Sequence, residues 1–206
     1  MHPPHPAVHE LELRAPRAIL IGGSAGGVEA VRALLPSLPM ALQAPVLVVL
    51  HLAPDTRTNW SVIFSQCKMP VEEAEDKARA RPGVVYVAPS DYHLLVDRGG
   101  VFSLSVDPPV NLSRPSIDVL FESAAWAYAE RTLGILLTGA NDDGAAGLAA
   151  IHAAGGLAWV QSPDTAAIAT MPRAGLRAVP RARSLAIPEM ARIFQSLNTE
   201  LYRQGS

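Results

Sequence analysis

The sequence predicts an α/β fold: a doubly wound, mainly parallel sheet with helices on both faces and an antiparallel β-hairpin. Three observations carry that expectation. Short continuous apolar runs, such as Ala18-Ile19-Leu20-Ile21 and Val46-Leu47-Val48-Val49-Leu50, read as strands buried on both faces. Stretches with apolar residues at helical spacing lie between such runs, so neighbouring strands run parallel through right-handed crossovers. At 206 residues and 49% hydrophobic content, the chain can bury a full core as one domain.

Residues 1–17 read as a flexible N-terminal tail and residues 18–206 as a single domain. The tail carries His2, His5 and His9 among prolines, a composition that assigns them no role. Neither a signal-peptide core nor an apolar run of spanning length occurs, so the expected location is cytoplasmic, without membrane insertion.

The first strand, from Ala18, leads into a glycine-rich turn and a helix with Val28, Val31, Leu34 and Leu35 on one face, stopped by Pro36 and Pro39. A second strand over 45–50 ends at His51. Residues 56–67 suggest a helix, 70–74 a short strand, and 83–89 another apolar strand. Residues 93–96 and 101–105 flank Asp97-Arg98-Gly99-Gly100, a hairpin signal that makes this segment an antiparallel appendage. His93 opens the hairpin, where a structural role fits best.

Arg114-Pro115-Ser116 opens a helix over 117–131, with Ile117, Leu120, Phe121 and Ala124 on one face. Residues 133–138 form a strand, followed by the loop Gly139-Ala140-Asn141-Asp142-Asp143-Gly144 and a helix from Ala145. A last strong strand covers 156–161. Helices are expected around 165–170, after Met171-Pro172-Arg173, and, amphipathic, over 187–201.

Composition narrows the function. A net charge of −2 without a basic run excludes an electrostatic footprint for nucleic acid. A lone Cys67 excludes an internal disulfide and fits a reducing compartment. No spacing suggests zinc, and the Asp142/Asp143 loop lacks the alternating ligands of a calcium loop, so no metal is expected.

The chemistry is concentrated at three strand ends. Gly22, Ser24 and Gly26 satisfy the G-x-S-x-G pattern of a nucleophile elbow, with the strand, turn and helix that pattern requires. The plainer alternative is a helix cap or a phosphate-binding turn, although no complete dinucleotide or P-loop motif overlays these residues. His51 stands at the second strand end and the Asp142/Asp143 pair just past the third, where local hydrogen bonding or helix capping would be the ordinary explanation. Parallel sheets bind ligands outside the carboxyl ends of their strands, so all three would converge on one edge. A serine nucleophile needs a base, and the base needs an orienting carboxylate. Arg114, just before its helix, is a candidate to bind an anionic surface or to pair locally.

Six blocks in this order, IGGSAGG around Ser24, VLH ending at His51, VYVAPSDYHLLV over 85–96, RPSIDVLFESAA over 114–125, LLTGANDDGAAG over 136–147 and MPRAG over 171–175, resemble the catalytic domain of chemotaxis-type protein-glutamate methylesterases, the CheB family. The resemblance spans nearly everything from Ala18 to the C-terminal helix. It implies a Ser24, His51, Asp143 triad that hydrolyses glutamate methyl esters on the cytoplasmic domains of chemoreceptors, without a cofactor. The expected mechanism is acyl transfer, with the backbone N–H groups of Ala25 and Gly26 as candidate oxyanion donors. Glutamine deamidation shares the tetrahedral path and is the near alternative. A phosphate-binding module and a catalytically silent receptor-binding domain are the more distant ones.

Two departures from the family pattern touch the pocket wall: Ala25 stands where the family usually has Thr, and Ala140-Asn141 where it usually has Met-Gly. Only a tail precedes the first strand, so the expectation is a stand-alone catalytic domain without a receiver domain, any control coming from a separate regulator.

Overall fold

The structure, a computed structural model, describes residues 6–52 and 58–197. Seven strands form one parallel sheet: β1 Ala18–Gly23, β2 Val46–Leu50, β3 Val71–Glu73, β4 Val85–Val87, β7 Thr132–Leu136, β8 Leu157–Gln161 and β9 Arg183–Leu185. Their order is β3-β4-β2-β1-β7-β8-β9. Strands β5 His93–Val96 and β6 Phe102–Ser105 pair antiparallel in a separate two-stranded sheet, which is the expected hairpin.

Alternation along the strands divides the core in two. Ile19 and Ile21 of β1, with Val46, Val48, Leu133 and Ile135, face one layer, and Leu20, Leu47, Val49 and Leu136 face the other. The first layer holds α1 Pro6–Arg14, α2 Gly27–Leu34 and α7 Ile187–Gln195, through Leu11, Val31, Leu34, Met190 and Phe194. The second holds α4 Ile117–Tyr128, α5 Ala145–Ala153 and α6 Thr170–Ala178, through Ile117, Phe121, Leu148, Ile151 and Met171. Burial on both faces explains why the strands read as unbroken apolar runs.

The sequence of connections reverses direction at β1: β2, β4 and β3 lie to one side, and β7, β8 and β9 to the other. A crevice therefore opens where the crossovers from β1 and from β7 leave the sheet in opposite directions. Ser24, His51 and the aspartate loop follow β1, β2 and β7 at that edge.

Several boundaries differ from the sequence expectation. Residues 6–14, expected in the tail, form α1, whose Ala7, Val8 and Leu11 are buried against α7. Pro6 and His9 within this segment mask a one-turn apolar repeat. His9 is exposed on α1, and His2 and His5 lie outside the described residues. Of the helix expected over 56–67, α3 Trp60–Ile63 is the part observed among the described residues, capped by the Asn59 side chain; residues 56 and 57 lie outside them. Residues 166–169 are not helical. A 3-10 turn covers Pro163–Thr165, and α6 starts at Thr170. Strand β9 was not anticipated, because three residues with one buried side chain leave no periodic signal. The terminal helix α7 ends at Gln195, and the rest of its expected span reaches residues outside those described.

Candidate active site

Ser24 sits where β1 gives way to α2. Its N–H donates to the Thr138 carbonyl at 2.9 Å, and its carbonyl accepts the Gly27 N–H at 2.6 Å. The first ties the turn to the end of β7, and the second closes the turn itself. Gly26 has φ +77°, a left-handed conformation that a side chain disfavours, and a Cβ there would come within 2.8 Å of Ala167. Thr138 Oγ1 donates to the Ala25 carbonyl at 2.9 Å and pins the turn from the neighbouring strand. Among the described residues the N–H groups of Ala25 and Gly26 have no hydrogen-bond partner, and neither has the Ser24 hydroxyl. Two unsatisfied donors at the start of a helix form a ready site for a developing negative charge.

His51 follows β2, its N–H donating to the Gly23 carbonyl at 3.1 Å, so it lies one strand from Ser24. Its side chain is 12% exposed, and Nε2 lies 2.8 Å from Asp143 Oδ2. Asp143 is fully buried. Besides His51, its carboxylate accepts from the Ile117 N–H (2.7 Å), the Ser116 hydroxyl (2.7 Å), Asn111 Nδ2 (3.0 Å) and the Asp118 N–H (3.2 Å). Burial pushes the Asp143 carboxyl up, but the bonds from His51, Asn111, the Ile117 N–H and Ser116 outweigh it and hold the group below the usual carboxylate range.

An ionised Asp143 fixes the tautomer of its partner. Nε2 carries the proton and donates it to the carboxylate, leaving Nδ1 as the imidazole's acceptor. The Ser113 hydroxyl donates to that nitrogen at 3.3 Å. The structure therefore joins His51 to Asp143, sets Ser24 at the adjacent strand end, and places Ser113 on the free nitrogen of His51.

The capping alternatives are settled by position. Helix α5 begins after Gly144, at φ +92°, with no side-chain cap, so neither Asp142 nor Asp143 caps the helix that follows them. Asp143 instead takes the two leading N–H groups of α4 and the hydroxyl of Ser116, its N-cap. Asp142 is exposed.

A second carboxylate is buried alongside. Asn111 Nδ2 also donates to Asp118 Oδ2 at 2.7 Å, and the Gly147 N–H donates to Asp118 Oδ1 at 2.6 Å. With fewer donors than Asp143, Asp118 is pushed up by burial, an effect that the Gly147 bond only partly offsets. Arg114 borders the site but its guanidinium is engaged locally: Nε and Nη2 donate to Asp91 Oδ1 (3.1 and 2.7 Å), and Nη1 to the carbonyls of Val106 and Asp107 (2.9 and 3.2 Å). His93 is buried, accepts from the Ser116 N–H and bonds the Pro108 carbonyl, the structural placement expected of it.

A cleft of about 180 Å³ opens beside His51, with Leu52, Asp91, Pro109, Ser113 and Arg114 among its walls; Ser24 is not one of them. No cluster of three or more His, Cys, Asp or Glu side chains is placed to hold a metal among the described residues.

The model of the CheB methylesterase family matches residues 19–194. The chain belongs to the CheB methylesterase family. A Leptospira interrogans protein provisionally named protein-glutamate methylesterase/protein-glutamine glutaminase is 44% identical over 182 residues, covering 88% of this chain and 94% of that protein. A Burkholderia lata protein named protein-glutamate methylesterase/protein-glutamine glutaminase 3 is 39% identical over 176 residues, which cover 84% of this chain but 48% of the relative. Against that longer relative the chain spans about half the length. The solved catalytic domain of a Thermotoga maritima CheB methylesterase superposes with a TM-score of 0.81 at 28% identity, over 91% of this chain and 98% of that one.

For this CheB-family chain, sequence reasoning missed Asn111, Ser113 and Asp118, and saw Ser116 only as a helix opening. The available signal was the N-terminus of α4 itself. A helix start at the binding edge of a parallel sheet offers unpaired N–H groups to whichever carboxylate reaches it.

Proposed function

We propose that the chain is a protein-glutamate methylesterase that demethylates chemoreceptor cytoplasmic domains, with Ser24 as nucleophile, His51 as general base and Asp143 as the carboxylate that orients and balances His51. The observation that carries this reading is the 2.8 Å contact between His51 Nε2 and the buried Asp143, at the strand end next to Ser24. Because Nε2 is committed to Asp143, Nδ1 is the nitrogen that takes the Ser24 proton, the Ser113 hydroxyl giving up its 3.3 Å contact there as it does so. The serine oxygen attacks the ester carbonyl, and the oxyanion is received by the N–H groups of Ala25 and Gly26. His51 returns the proton to the departing methoxide, releasing methanol. Water then repeats the attack on the acyl-enzyme, leaving a glutamate carboxylate and a restored Ser24.

The same path accommodates glutamine, with ammonia in place of methanol, and the paired activities in the relatives' names favour keeping both substrates. Arg114 acts in this scheme by tying the loop over 106–116 to Asp91. The test is to incubate the protein with methyl-labelled receptor cytoplasmic fragments and measure released methanol. Ser24→Ala should lower the rate by about 10⁶, the loss seen when a triad serine is removed elsewhere. Release by this variant near the wild-type rate would remove Ser24 from the role of nucleophile.

A further inference from the structure

The loop between β6 and α4 borders the cleft and contains a two-residue reversal. Val110 and Ser113 pair as an isolated antiparallel bridge, each N–H donating to the other's carbonyl at 3.1 and 2.9 Å. Asn111 and Leu112 between them have φ +50° and +62°. Positive φ at both central positions marks a type I′ turn, whose favoured pair is Asn-Gly because glycine alone takes the second position freely. Asn111 fits that rule and Leu112 breaks it.

Leucine is disfavoured here on two counts. Its Cβ opposes the left-handed backbone, and its side chain is 100% exposed, so it gains none of the burial that ordinarily stabilises leucine. The flanking residues explain why the turn persists. Asn111 is held by Asp118 and Asp143, and Ser113 by His51. They do not explain the leucine, since glycine would make the same turn without strain and without bare apolar surface. Strain maintained by contacts to a site points to a use at that site.

Leu112 and Pro109 are walls of the cleft that contains His51, and Val106 (68% exposed) and Val110 (38%) are further exposed apolar residues of the same loop. We propose that Leu112 is a specificity-determining contact, docking against an apolar side chain that flanks the esterified glutamate in a polypeptide substrate. The occupant is the substrate polypeptide because Leu112 and Pro109 line the cleft at His51, the proposed base for attack by Ser24 at the adjacent strand end. Leu112 then becomes buried only in the substrate complex. This inference rests on the esterase reading and assigns it a substrate class: esters presented on an apolar protein surface.

The experiment uses the whole chain and two readouts. In a Ser24→Ala background, the affinity for a methyl-esterified receptor cytoplasmic fragment is titrated with and without Leu112→Gly. In the otherwise native enzyme, kcat and KM are measured on the same fragment and on p-nitrophenyl acetate. Leu112→Gly should weaken fragment affinity about tenfold, the factor expected from losing much of one leucine's burial. It should raise KM for the fragment correspondingly, and lower the fragment-to-small-ester ratio of kcat/KM about tenfold. Leu112→Met should restore most of the loss. The thermal midpoint of Leu112→Gly should be no lower than wild type, since glycine relieves the turn. Unchanged fragment affinity, or equal losses on both substrates, would overturn the proposal. So would a self-association that Leu112→Gly abolishes while fragment affinity stays constant, since the leucine would then belong to a contact between copies. Failure of the wild type to hydrolyse either ester would instead refute the esterase reading, while the affinity titration still decides the role of Leu112.

Discussion

The glycine elbow at Ser24 and the seat of Asp143 lie at the same edge of the sheet, yet they are encoded in opposite ways. At the elbow, most of what shapes the turn at Ser24 is contained in residues 22–27, a turn that glycine permits and two N–H groups without partners among the described residues, with Thr138 anchoring it from the neighbouring strand end. At the seat, the donors to one carboxylate come from the end of β2, the turn at Asn111, the cap at Ser116 and the first turn of α4, while Asp143 itself follows β7. A turn that exposes a hydroxyl is set largely by local backbone shape. A buried charge needs several donors at once, and no contiguous stretch of chain can aim that many at one point.

The most damaging way to disturb the seat is Asp143→Asn. The amide would turn an N–H₂ toward donors that now point at an oxygen, and it could no longer fix the tautomer of His51 or balance its positive charge. The corresponding change in a serine protease costs on the order of 10⁴ in turnover, and a loss of that size is expected here. Turnover on a methyl-esterified receptor fragment, measured beside the thermal midpoint, checks it. A loss below tenfold with a large drop in midpoint would make Asp143 a structural anion.

The two regions also touch, through Ile117. Its N–H holds Asp143 Oδ2 at 2.7 Å, while its side chain packs where a Cβ on Gly22 would stand. Gly22 therefore serves the seat as well as the elbow, by letting α4 approach β1. Gly22→Ala should destabilise the fold by about 1–3 kcal/mol, the usual range for overpacking a core, because the branched Ile117 cannot swing away without moving the helix start. Turnover should fall with it, as the Ile117 N–H shifts from the carboxylate. A denaturant midpoint and a rate both equal to wild type would show that α4 can retreat freely, and the coupling between the regions would be lost.

This contrast accounts for what the sequence disclosed. The parallel strands, the hairpin and the placement of Ser24, His51 and the aspartate loop at strand ends were legible because each depends on a run of a few residues. Ser113 and Asn111 were not, since their roles arise from a loop folding back on β2 and β7 across tens of residues. Helix α1 is illegible for a different reason: its burial comes from packing against α7, near the far end of the described chain, and its own composition is that of a tail.

The smallest effect is expected one residue from the largest. Asp142 has the same charge as Asp143 and shares its loop, but it is exposed, and its carboxylate has no hydrogen-bond partner among the described residues. Its backbone carbonyl, which accepts the Ala145 N–H at 3.1 Å, is untouched by a side-chain change. What Asp142→Asn removes is a solvent-screened charge near the start of α5, an effect of about 0.5 kcal/mol or less at physiological ionic strength. Turnover should stay within about twofold of wild type, the scatter expected of a surface substitution away from the chemistry. Measured in one series with Asp143→Asn, this variant asks whether the seat, and not proximity or charge, makes an aspartate matter in this loop. A loss at Asp142 equal to that at Asp143 would answer that charge alone suffices, and a larger one would place the working carboxylate one residue earlier than its hydrogen bonds do.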